Sequence, residues 1–413
     1  MDTSTLSIGL FGGSLLAAVG ASWILFQELA DMSQLVIPTN RRRVVAVWRR
    51  RRLIAGVALV GMAGSAALWR QDPGLMPGWL LAVILLLSAA LLYAGLVNPQ
   101  LMFRSQQRTA RFMSTSEARR WVRPDESVIV IEINGDARAY TARYLLQPHI
   151  AHSESVGGED VVMTYCGLTN LGIAYTPEID GQRLDLRVMN QIENNLIVWD
   201  ANTGTPIQQI WGYREGDPEK RRMREWPTRR MPFSAFCELF PEGRVFANEI
   251  AGVGRNPVRF AWDTGVRRLM TAGVRKQERS EKPAFPSIDH TDTRLPMKAK
   301  IYGFNVGADY VAYTIESVRA SGGIVNATVG GRPVAVVYHV EYDSLGVYYN
   351  DTDGPVGQVD VHGTTPQGRQ LKPVESLKAG AYWFIWCHFF PTTDVNRGSV
   401  APGLEAVSPP RQP

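Results

Sequence analysis

Apolar residues follow two rhythms along this chain. From Leu6 to Val97 they come in long unbroken runs, and beyond Met113 in short alternating ones. The first rhythm predicts helical membrane spans over Leu6–Phe26, Leu53–Trp69 and Trp79–Val97, since a helix needs ~20 apolar residues to cross a bilayer. Buried core helices would produce similar runs, but not the flanks "RRRVVAVWRRRR" (Arg41–Arg52) and "FRSQQRTAR" (Phe103–Arg111). No basic residue precedes the first run, which argues against a secretory signal peptide. Seven arginines follow the first span and three follow the third, against one in the "RQDPGLMPG" loop. Lys and Arg concentrate on the cytoplasmic side, so the N-terminus is predicted outside and everything after Val97 inside.

The second rhythm reads as strands punctuated by turns. Asn134-Gly135 and Asp180-Gly181 each join two strand-like runs, the strongest short hairpin signal. Another turn is predicted at Asn202–Gly204, and short helices over Thr141–Gln147, Phe233–Phe240 and Ala381–Phe390. The predicted class is α+β, mostly β with short helices, preceded by three transmembrane helices.

The β-rich part also repeats itself. "INGDARAYTARYLL", "VGG" and "VVMTYC" over residues 133–166 are echoed by "VGADYVAYTIESVR", "VGG" and "VAVVYH" over 306–339. Tyr140 precedes Val156 by 16 residues, as Tyr313 precedes Val329. "AFCELFPEGRV" (Ala235–Val245) likewise matches "IWCHFFPTTDV" (Ile385–Val395). An internally duplicated β-rich unit is expected, with this division: anchor 1–100, first unit 113–253, connecting segment 254–297, a shorter second unit 298–396 lacking most of "NQIENNLIVWDANTGTPIQQ", and a flexible tail 397–413.

Charge and cysteine content narrow the chemistry. The net charge of +5 is concentrated near the N-terminus and no basic stripe is interleaved with aromatics, so the lipid bilayer is the expected partner and nucleic acid is not. The three cysteines, Cys166, Cys237 and Cys387, form neither a disulfide framework nor a CxxC clip. Cys237 and Cys387 sit among Phe and Trp and read as core. Cys166 ends an apolar strand at "TYCGLT". In the equivalent strand of the second unit His339 takes its place, so the two are expected to approach across a pseudo-two-fold, where an imidazolium lowers a thiol's pKa. The bland alternative is a buried thiol acting as a small apolar residue. The histidines His149, His152, His290, His339, His362 and His388 show no metal-ligand spacing. A zinc or copper site from Cys166, His149 and His339 is a minority reading. Arg294 and Lys298 are expected to be solvated or paired with acidic neighbours. No nucleotide loop or hydrolase motif is present, and no cofactor is indicated.

Gly135–Tyr140, His149, Gly157-Gly158, Thr164-Tyr165-Cys166, Asn195-Leu196, Trp199-Asp200 and Thr203-Gly204, continuing through "DTRLPMKAKIYGF" (Asp292–Phe304), resemble the bacterial domain-of-unknown-function family numbered 3179, over about Asp125–Val395. The family is described as including selenoproteins. Because selenocysteine marks redox or nucleophilic positions, the resemblance implies chemistry, with Cys166 the matching candidate. Thr169 stands where the family has a second cysteine, and Pro206-Ile207 where it has a Trp. A dithiol cycle would thus need a partner thiol.

These readings combine into an expectation: a multi-pass protein of the bacterial inner membrane, soluble part cytoplasmic, working as a thiol-dependent redox protein. Cys166 is the reactive group, His149 or His339 tunes it, Thr164, Tyr165, Thr169, Asn195 and Asp200 shape the pocket, and a small molecule or thiol is the partner. The alternatives are a non-catalytic membrane-tethered binding or assembly scaffold, and a metal-binding redox domain.

Overall fold

The computed structural model describes residues 3–97, 105–106, 110–246, 257–288 and 292–396. The expected tail and His290 lie outside them. Three helices, α1 (Thr3–Leu29), α2 (Arg41–Gln71) and α3 (Gly78–Leu96), are long and apolar enough to cross a membrane. The arginine-rich flank is part of α2, not a linker before it. Asn40 caps this helix by accepting from the Arg43 N–H at 3.0 Å. The Gly/Ala content that makes the second run the least apolar of the three serves packing. A Cβ on Gly61 would lie 2.6 Å from the Ser14 carbonyl, and one on Gly95 would lie 2.5 Å from that of Leu25. Small residues are what let membrane helices approach this closely.

In the first β unit, β1 (Ser105–Gln106), β2 (Phe112–Ser114) and a single-turn α4 (Thr115–Ala118) precede the hairpin of β3 (Ser127–Ile133) and β4 (Asp136–Thr141). Asn134 and Gly135 both have positive φ, as a two-residue type I′ turn requires. The meander β5 (Ile150–Val156), β6 (Glu159–Cys166) and β7 (Leu171–Tyr175) follows. After the short hairpin of β8 (Glu178–Ile179) and β9 (Gln182–Arg183) comes a separate sheet of β10 (Leu186–Ile192), β11 (Asn195–Asp200) and β12 (Pro206–Gln208). The unit closes with β13 (Glu225–Trp226), β14 (Arg229–Pro232), α5 (Phe233–Leu239) and β15 (Arg244–Phe246).

Helix α6 (Pro257–Glu278) links the units. No helix is expected there from the pattern, because Gly265, Gly273 and scattered arginines blur its apolar face. Val266, Met270 and Val274 nonetheless recur every fourth residue, and the latter two pack against the cores. The second unit comprises β16 (Lys300–Val306), β17 (Asp309–Tyr313), α7 (Ile315–Ala320), β18 (Ile324–Val329), β19 (Arg332–His339), β20 (Ser344–Tyr349), β21 (Lys378–Tyr382), α8 (Trp383–Phe389) and β22 (Asp394–Asn396). Thr141–Gln147, expected helical, contains only a 3₁₀ turn at Tyr144–Leu146.

The main sheet of the first unit runs β14-β3-β4-β15-β2, and that of the second β21-β16-β17-β22. In both, the strand after the short helix pairs in parallel with the second hairpin strand. In both, a three-stranded antiparallel meander packs on the main sheet. Gly157 and Gly330 occupy matching turns at φ +57° and +55°, where a Cβ would fall on the carbonyls of Ile133 and Val306 respectively. The β10–β12 sheet has no counterpart in the second unit. It is where the domain meets the anchor: Leu25, Leu29, Val44 and Trp48 pack with Met189, Ile192 and Ile197. Trp48 also donates to the Gly204 carbonyl at 3.0 Å, and Arg49 to that of Glu215 at 2.9 Å. The β domain is therefore docked on the anchor through side chains as well as through the chain.

Candidate functional site

Cys166 ends β6 with its side chain fully buried, within 3.8 Å of the Asn194 carbonyl and 3.9 Å of Gln191 Oε1. These partners come from the tight β10–β11 hairpin, whose turn residues Glu193 and Asn194 both have positive φ. Asn194 tolerates that conformation readily. It also locks a neighbouring segment, donating to the Phe285 carbonyl and accepting from the Phe285 N–H, both at 2.8 Å.

Gln191 is the hub. Its side-chain amide faces His149 Nε2 at 3.3 Å, its backbone N–H donates to Asp31 Oδ1 at 2.8 Å, and its carbonyl accepts from Gln34 at 2.6 Å. Asp31 and Gln34 lie just after α1, so this buried cluster runs from the thiol to the anchor. On the other side, Gln209 donates to Thr164 Oγ1 at 3.1 Å and accepts from Asn195 at 3.1 Å, while Gln208 donates to Asn195 Oδ1 at 2.9 Å. Thr169 Oγ1 donates to the Cys166 carbonyl at 3.1 Å. Thr164, Thr169 and Asn195 thus gather around Cys166 and His149.

Electrostatics run against an ionised thiol. Burial pushes the Cys166 pKa up, outweighing the backbone and Thr169 donors that favour thiolate. Burial likewise lowers His149 to about 4, so its imidazole is neutral at pH 7 and accepts from the Gln191 amide. Stability should respond to this. An unfolded His takes up a proton below its ordinary ~6.5 while folded His149 does not, so stability is intact above that pH and is lost as pH falls toward about 4. We expect a loss of roughly 2–3 kcal/mol across that window, read from unfolding midpoints of the detergent-solubilised protein. A His149→Asn variant should show a shallower pH slope, and an unchanged slope would refute the assignment.

Other expected residues lie elsewhere. His339 sits in a separate recess with Tyr338 and His362; burial, then the nearby Arg229, lowers its pKa to about 4. It is not among the groups around Cys166: its recess is lined instead by Leu239 of the first unit and by Val361 and His362 of the second. Asp200 accepts from the backbone N–H groups of Asp185 and Asn202 and from Thr203 Oγ1, making it a turn residue. Tyr165 points to the opposite face from Cys166, as alternation along β6 requires. His152 pairs with Asp160, His362 with Glu132 and His388 with Glu193. Among the described residues no three His, Cys, Asp or Glu side chains group as metal ligands.

Tyr165 lines a cleft of about 930 Å³ between the units, together with Arg230, Tyr302 and Tyr382 and with Thr271, Val274 and Glu278 of α6. Arg230, nearly buried, donates to the carbonyls of Asn170 at 2.6 Å and Ala379 at 2.9 Å, tying the units together behind the cleft. Lys298, expected to be solvated or paired, is neither. Its Nζ is buried without a hydrogen bond, 4.4 Å from the Phe384 ring centroid and 5.1 Å from that of Tyr382. Burial lowers its pKa to about 8, against the raising effect of Glu278. Arg294 does pair, with Asp292 at 2.7 Å. Gln191, Gln209 and Arg230 are site residues that no sequence motif names. Lys298, lying within the family-like "DTRLPMKAKIYGF", carried a signal.

A family model described as a protein of unknown function, DUF3179, matches residues 106–393. No curated protein and no solved structure matches the chain.

Proposed function

The chain belongs to the DUF3179 family, and from that premise we propose that it is a membrane-anchored binding module whose β units enclose a small-molecule cleft. The observation that carries this is the cleft itself: polar groups from β6, β14, β16, β21 and the Lys298 segment converge on one cavity of ligand size. The reading takes the two units as duplicated copies, supported by their shared strand order and their matching glycine turns. It places the protein in the bacterial inner membrane, with the arginine distribution favouring a cytoplasmic domain. Screening the full chain in detergent against small acids, amines and sugars by thermal shift, with hydrogen exchange to map hits, tests it. We expect hits that protect Met297–Tyr302 and Lys378–Tyr382; hits mapping only elsewhere count against the cleft.

A thiol redox role is the second reading, favoured by the Cys166–Gln191–His149 chain. It requires the cluster to open, and an external thiol to resolve the oxidised sulfur, since Thr169 offers none. Iodoacetamide labelling distinguishes the two. We expect Cys166 to label only after denaturation; rapid labelling of native protein below pH ~8.5, the ordinary thiol pKa, would favour the redox reading instead.

A further inference from the structure

We propose that the cleft binds a small organic anion, a carboxylate or phosphate group on an apolar or aromatic body, with Lys298 as the receptor for its charge. This rests on the cleft being a ligand site, and it names the ligand's chemistry.

Buried donors in folded proteins almost always have acceptors. The Nζ of Lys298 is buried with none, facing a cavity, although Lys is the side chain that most easily swings to water. The Phe384 and Tyr382 rings hold the ammonium by their faces, but aromatic faces leave its N–H groups unused. The carboxylate whose charge acts on it, Glu278, is engaged by Lys300 at 3.2 Å. Glu126, also on the wall, is engaged by Arg143 at 3.4 Å. Among the described residues Lys298 has neither a hydrogen bond nor an ion pair on this wall, which Arg230, Arg275, Glu316 and Asp343 also line, and an incoming oxyanion would give its Nζ both an acceptor and a counter-charge. Tyr302 supplies a hydroxyl donor, Tyr165, Tyr302 and Tyr382 supply ring surface, and Leu146, Val274 and Ile315 supply the apolar wall. That mixture suits a body such as an aromatic ring carrying the anion.

The test uses full-length protein in detergent with benzoate, phenyl phosphate, inorganic phosphate and neutral benzamide as probes. Binding is measured by calorimetry, and acetylation of Lys298 by acetic anhydride is followed by mass spectrometry. Benzoate or phenyl phosphate should bind and protect Lys298 from acetylation, and which of them binds tighter identifies the oxyanion. Lys298→Met, which keeps the stem and gives up no hydrogen bond, should fold normally and weaken binding by about 10- to 100-fold. Inorganic phosphate alone should bind more weakly than phenyl phosphate if the apolar wall contributes. Benzamide binding as well as benzoate, with Lys298→Met unaffected, would overturn the anion assignment while leaving the cleft a ligand site. Failure of every probe to bind or to protect Lys298 would overturn the anion assignment, and hits from the broader screen would then decide the cleft's role separately.

Discussion

Replacing Glu225 with alanine is expected to destabilise the β domain by about 3–5 kcal/mol. Glu225 of β13 in the first unit meets Lys378 of β21 in the second at 2.5 Å, with both side chains almost fully buried. Lys378 has one further acceptor, the Ser376 carbonyl at 3.2 Å. Without the carboxylate its ammonium would remain as a nearly uncompensated charge in an apolar surround, which is far worse than never having buried the pair. The double variant Glu225→Ala/Lys378→Met should recover most of the loss, because an apolar replacement of a buried ion pair is often close to neutral. Chemical denaturation of all three proteins in detergent measures this; a single variant as stable as the parent would show the pair to be solvated. The position matters for the cleft as well. Lys378 directly precedes Ala379 and Gly380, whose carbonyls anchor Arg230 and Asn170. Loosening β21 should therefore also weaken any ligand held there.

Replacing Trp386 with alanine should cost about 3–5 kcal/mol. The indole of α8 is fully buried, donates to Thr393 Oγ1 at 2.8 Å and lies 4.4 Å, centroid to centroid, from Phe390. Across from it, Gly303 of β16 has no side chain, and a Cβ there would come within 2.7 Å of the ring. The ring and the glycine form one fitted contact, so truncating the ring opens a cavity that the rigid strand cannot close. Unfolding midpoints give the size of the effect. A loss below about 1 kcal/mol would mean that the core collapses into the gap. Gly303→Ala should also destabilise, and combined with Trp386→Phe it should do so by less than the sum of the two, since residues in contact are not additive.

Local features were legible because their causes are local. Long apolar runs make helices of spanning length whatever they pack against. Asn134-Gly135 and Asp180-Gly181 form their turns because Asn, Asp and Gly tolerate with little strain the positive φ that the hairpin needs. The short helices over Phe233–Leu239 and Trp383–Phe389 fall within the stretches marked by their aromatic pattern. Helix α6 was hidden because its apolar positions are interrupted by two glycines, and it is held by the cores beneath it.

The surroundings of the thiol were legible only in part. "TYC" marked Cys166, and the family resemblance marked His149, but the residue between them, Gln191, carries no motif. It reaches them because the β10–β11 hairpin folds back over the end of β6. The Cys166–His339 pairing followed from treating the two units as copies, yet which faces of two similar units meet is decided by interface packing, here Asn170, Arg230 and β21. Lys298 shows the same division in one side chain. By itself the sequence determined the spans, the turns, the class of fold and the burial of the Cys166 strand, because these depend on neighbours along the chain. Only the tertiary structure decided that a sulfur expected to be ionised is sealed under a polar hairpin while a lysine expected to be solvated or paired is held without an acceptor in a cleft, because burial and charge depend on neighbours in space.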